Sequence, residues 1–123
     1  MFNEIVELRL EKIKKILGEK AQEYASGGDR FHNFNVAGRI AGITPEKALY
    51  GMMLKHEVSV IDLIELADTD PGKLNEAIID EKIGDFVNYL ILLEGLLKQR
   101  CITKETMVPY QPEVVFSNIN TDR

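Results

Sequence analysis

Glu81, Asp85 and Asn88 follow one another at intervals of four and three residues, a spacing that brings polar side chains out on one side of a helix. Two carboxylates one turn apart can share a hard cation. Magnesium takes oxygen ligands, keeps several waters and needs few carboxylates when a substrate phosphate supplies further oxygens. Ala77 and Gly84 lie close to this stripe, and their small side chains leave room for a ligand or another helix. The same spacing also describes a plain solvated face. A second group, Lys55, His56, Glu57, Asp62 and Glu65, stands one helix earlier. Lys55 and Asp62 are seven apart and share a face, whereas Glu57 and Asp62 are five apart and diverge, so those two are no simple metal pair. Lys55 would offer phosphate a point charge, or be a solvated lysine. His56 falls on an apolar stripe with Met53 and Val60, where a hydrogen-bonded core histidine is the expected reading. A third group is the run Asp29-Arg30-Phe31-His32-Asn33-Phe34. There an arginine could grip phosphate and a phenylalanine could stack on a base; equally, Phe31 and Phe34 could pin the loop to the body.

Helices must position these groups. From Glu4 to about Tyr24 the apolar residues Ile5, Leu8, Ile13, Ile16, Leu17 and Ala21 recur three, four or five apart among charged residues, which predicts an amphipathic helix. Ser26-Gly27-Gly28-Asp29 interrupts it. A short helix over Asn35–Ala41 ends at Gly42, and Thr44-Pro45 is a capping residue followed by proline at the first helical position. The next helix runs from Pro45 to about Ala67, with Leu49, Met53, His56, Val60, Leu63 and Ala67 on one stripe. Asn75 caps the last, Glu76 to about Gln99, whose face is Ile79, Ile83, Phe86, Val87, Leu90, Leu93 and Leu97. Pro109, Pro112, Val114 and Val115 predict an extended tail. The expected architecture is all-α: a small helical bundle over 1–102 with three long helices and a short one, and an extended tail over 103–123.

The chain has 123 residues, 45% of them hydrophobic and 28% charged, enough for one folded domain and not for two. A net charge of -5 argues against a nucleic-acid binder, which needs a basic surface. A helix-turn-helix reading of Val36–Leu49 also fails, because the would-be recognition helix continues as the core-like Ala48-Leu49-Tyr50-Gly51-Met52-Met53-Leu54. Cys101 is the single cysteine. It excludes an intrachain disulfide and a multi-thiolate zinc site, and fits a reducing cytoplasm. No apolar run is long enough to span a bilayer, so no membrane association is expected. Three long helices with wide apolar faces on so small a body point to a homo-oligomer.

Lys20 with Glu23 and Tyr24, the run Asp29 to Phe34, Lys55-His56 followed by Asp62, and Glu81-Lys82-Ile83-Gly84-Asp85 leading to Asn88-Tyr89 together resemble a small helical family, often phage-encoded, called nucleotide modification associated domain 1. That family is akin to the all-α nucleotide pyrophosphatases of the MazG kind. The resemblance spans roughly Lys20 to Leu97. It implies a nucleotide-handling protein in which Glu81 and Asp85 match the second acidic helix motif, with two or more chains forming the bundle. Magnesium would be held by Glu81 and Asp85, with Asp62 as a further candidate. Lys20, Arg30 and Lys55 would hold phosphates, and Asn33 or Asn88 would read a sugar or base. Hydrolysis of a phosphoanhydride would follow from metal activation of water, without a nucleophilic side chain. One departure stands out. The pyrophosphatases carry Glu-x-x-Glu on the preceding acidic helix, where this chain has Lys55, His56, Glu57, Asp62 and Glu65. A nucleotide-binding or protein-interaction module without turnover is therefore the alternative. The hydrolytic reading places Glu81 and Asp85 in one polar pocket with Lys55 or Asp62 opposite.

Overall fold

The computed structural model describes residues 1–19 and 29–106, so the notional phosphate ligand Lys20, with Glu23 and Tyr24, and the tail beyond 106 lie outside the described residues. The described residues are helical and contain no strand: α1 (Phe2–Ile13), α2 (His32–Ala41), α3 (Pro45–Thr69) and α4 (Glu76–Thr106), with a π turn at Lys14–Glu19 and a 3-10 turn at Pro71–Lys73.

Local chemistry sets most boundaries. Asp29 turns the chain before α2: its Oδ1 accepts from the Phe31 N–H at 2.9 Å and its carbonyl from the His32 N–H at 3.2 Å, an Asx turn that starts the helix ahead of the expected Asn35. Gly42 ends it in the left-handed region at φ 73, and the Ile43 N–H returns to the Gly38 carbonyl at 2.9 Å. Thr44 then caps α3, its Oγ1 accepting from the Lys47 N–H at 3.2 Å, with Pro45 in the first turn. Asn75 does the same for α4 through the Ile78 N–H at 3.0 Å.

Two further boundaries differ from expectation. The first helix does not stay α-helical, because the five-residue interval from Leu8 to Ile13 departs from the 3.6-residue repeat and the chain widens into a π turn at Lys14–Glu19. The last helix continues through Thr106, past the end expected at about Gln99. Nothing from Ile102 to Thr106 forbids helix, and the first proline is Pro109.

α3 packs against both α2 and α4. Leu49 is fully buried and Phe34, Met53 and Leu96 nearly so, with Phe31, Met52, Phe86, Tyr89, Leu92 and Leu93 around them. Burying a side chain of this size contributes about 1.5–3 kcal/mol. Gly95 belongs to this packing, since a Cβ there would stand 2.8 Å from the Phe31 ring. At the far end, the Arg100 guanidinium grips the Glu46 carboxylate with two hydrogen bonds of 2.6 and 2.9 Å, tying the start of α3 to the distal part of α4. α1 buries no residue of its own. It lies on α4 through Asp80, whose carboxylate meets Lys12 Nζ at 2.8 Å and Arg9 at 3.6 Å, while Arg9 also donates to the Asp80 carbonyl at 3.3 Å.

Candidate functional site

Asp85, in the third turn of α4, faces α3. Its Oδ2 lies 3.8 Å from His56 Nδ1, beyond hydrogen-bond length and within ion-pair reach of a protonated imidazole. The Tyr89 ring, one turn along α4, sits with its centroid 4.7 Å from that of His56, and Phe34 meets the other side of Tyr89 edge-on at 6.1 Å. A carboxylate, an imidazole and a phenol thus line one seam, backed by the buried core. The side chains are 45% exposed for Asp85 and 16% for His56, so the carboxylate reaches solvent while the histidine is shielded.

The expected residue opposite Asp85 was Lys55 or Asp62; the residue there is His56. The reason is helical phase. Met53 is buried and His56 and Val60 half-buried on the side of α3 turned inward, whereas Lys55 and Asp62 share the outer face and are exposed. Glu81 is also exposed rather than in a common pocket with Asp85. Each four-residue step overshoots a full turn by about 40°, so Glu81 stands about 80° round the helix from Tyr89 and falls outside the seam that Asp85 and Tyr89 share. Asn88 is half-buried on α4 and Asn33 exposed in the first turn of α2. Arg30 donates to the Gly18 carbonyl at 3.1 Å, joining the loop before α2 to the π turn. Phe34 belongs to the core and Phe31 packs against it, so these aromatics pin the loop and are not offered to a base.

Tyr89 and His56 were not among the site residues read from the sequence. The signal for Tyr89 was present, since it stands four residues beyond Asp85. His56 could be assigned only once the register of α3 against α4 was known. Among the described residues no group of three or more His, Cys, Asp or Glu side chains converges to hold a metal ion. Comparison with models of known families, with curated proteins and with solved structures gives no match. No helix among the described residues is long and apolar enough to cross a membrane.

Proposed function

We propose that this protein handles nucleotides at the α3–α4 seam, in the manner of the magnesium-dependent nucleotide pyrophosphatases its sequence resembles, acting on a phosphoanhydride of a (deoxy)nucleoside triphosphate or a modified nucleotide. The observation that carries the reading is the placement of Asp85: a half-exposed carboxylate beside an imidazole and an aromatic ring, at the position of the second acidic motif. Asp85 and Glu81 would hold a magnesium ion whose remaining ligands are waters and phosphate oxygens. The ion would supply charge neutralisation and an activated water. Asp62, on the outer face of α3, would join them only from a second chain. His56 would accept or hold a proton at Nδ1, steadied by Asp85, and Tyr89 would stack against a base. Arg30, Lys55, Asn33 and Asn88 remain the proposed contacts to phosphate, sugar and base.

The protein would work as a homo-oligomer. α3 is apolar on two faces: one is covered by α2 and α4, while Tyr50, Leu54, Val58 and Ile61 on the other are each about half exposed. A second apolar stripe left in water on a helix that already buries one face is the kind of surface that another chain covers. The absence of a three-group acidic cluster among the described residues favours one second reading, a nucleotide-binding module without turnover.

The discriminating experiment screens the purified protein against nucleoside triphosphates with magnesium, reading pyrophosphate release and, separately, nucleotide binding. On the hydrolytic reading Asp85→Asn loses turnover by about 100-fold or more while the helices persist, because a ligand charge is removed at nearly constant shape. Magnesium-dependent nucleotide affinity with no release by the native protein moves the assignment to the binding module. Neither binding nor release for any nucleotide ends both.

A further inference from the structure

Along the outer face of α3, Lys47, Gly51, Leu54, Val58, Ile61 and Glu65 follow one another at intervals of four, three, four, three and four residues. That is the repeat by which one helix lies along another. The seam is opposite Leu49, Met53 and Val60 on the helix, and all six of its residues are exposed. We propose that a second copy of the chain lays its own α3 along this seam, antiparallel, about a two-fold axis that passes between Leu54 and Val58. The proposal rests on the homo-oligomer put forward above and is independent of the nucleotide assignment.

Three observations select a second copy, and this orientation of it. The first is that the seam complements its own reversal, which is what a two-fold interface requires. About that axis Lys47 stands opposite the partner's Glu65, Leu54 opposite the partner's Val58 and Gly51 opposite the partner's Ile61. A parallel copy would instead set Lys47 against the partner's Lys47 and Glu65 against the partner's Glu65. The second is the sign of those end charges. Lys47 lies in the first turn of α3 and Glu65 near its end, each the wrong way round for the helix dipole. Neither has an ion-pair partner among the described residues, so nothing within the chain accounts for them. The third is Gly51. Glycine weakens a helix interior, yet a Cβ at Gly51 would meet nothing within 4 Å, so packing within one chain does not ask for it. Between two chains it is a notch for the partner's Ile61. On the flank of the seam Tyr50 and the partner's Ile64, both half exposed or more in the single chain, come level and add apolar contact. The flanking charges nearest the axis, Lys55 and Glu57, meet their own kind at the rim, where salt screens them; the fit is carried by the seam.

Charge reversal in the full chain tests the register, with the dissociation constant of the dimer read by sedimentation equilibrium. Lys47→Glu and Glu65→Lys should each weaken association about tenfold, because each turns two symmetry-related attractions into repulsions. The double variant, with both charges exchanged, should return to the native value. Both substitutions suit the helix dipole better than the native residues do, so circular dichroism should show the helices retained. Single variants that associate as tightly as the native protein, or a double variant that stays weak, overturn the register while leaving an oligomer in place. A native protein that is monomeric ends the homo-oligomer as well. A second measurement reads orientation. With the exposed Cys101 replaced by serine throughout, oxidation of a mixture of Gly51→Cys and Ile61→Cys chains should give a disulfide-linked pair. Neither variant alone should link, because the axis holds the two copies of position 51, or of position 61, about 15 Å apart along the helix. Either variant linking to itself, or a mixture that stays unlinked, overturns the antiparallel arrangement.

Discussion

At the scale of single residues, the most consequential polar contact outside the seam is Glu46 with Arg100. Two hydrogen bonds from the guanidinium hold the Glu46 carboxyl below the ordinary glutamate range, against a smaller upward push from burial. Because the folded form binds its proton less readily than the unfolded chain does, the pair stabilises the fold fully above the unfolded value of about 4.3. That contribution is lost as the pH falls through the lowered native value. Arg100 is more than half exposed, so the screened contribution at neutral pH is about 0.5–1 kcal/mol. Glu46→Gln should lower stability by that amount at pH 7 and flatten the loss of stability below pH ~4.3 in urea titrations. A variant whose acid limb matches the native one would show that the pair contributes nothing. Asp80 and Glu94 are likewise held low, by Lys12 and Lys98, but stand in open solvent, so their part of the same limb should fade in salt. The pairing of Glu46 with Arg100 was not legible in the sequence, because nothing local relates two charges 54 residues apart. His56 with Asp85 was hidden for the same reason.

Elements were far more legible, because what bounds a helix lies within a few residues of its end. Thr44-Pro45, Gly42 and Asn75 all act as their residue types predict. Thr44→Ala should therefore cost about 1 kcal/mol, and Thr44→Gly only a few tenths. Equal losses in thermal melts of the two variants would indicate that backbone flexibility, rather than the hydroxyl, governs this corner. The misjudged boundaries lack such markers. After Cys101 the apolar repeat fades with no glycine or proline to stop the helix, and the turn at Lys14–Glu19 is a change of pitch within otherwise helix-forming sequence. α3 shows a different limit. Its periodicity marks Leu49 and Met53 correctly as inward, but a helix with apolar residues on two faces has a weak directional signal, and Tyr50 and Leu54, which read as core sequence beside them, are about half exposed.

For the whole molecule, that second stripe leads to a measurable expectation. Light scattering at micromolar concentration should give a mass above the 13.9 kDa of one chain, and Leu54→Glu with Ile61→Glu should return it to one chain with helicity retained, because both side chains are about half exposed within one chain. A native protein that is monomeric, or a charged variant that still assembles, removes α3 from the interface. The attachment of α1 bears on how the molecule reaches its native state. α2, α3 and α4 meet as neighbours along the chain, whereas Arg9 and Lys12 find Asp80 across 71 and 68 residues. Closing so long a loop costs entropy that nearby pairings avoid, so the three later helices should assemble first and α1 should join after the rate-limiting barrier. Asp80→Ala should then leave the refolding arm of a stopped-flow chevron in place and displace only the unfolding arm upward. Slower refolding would put α1 inside the nucleus. With its docking late on the way in and early on the way out, α1 would be the first part of the native chain to open to a protease.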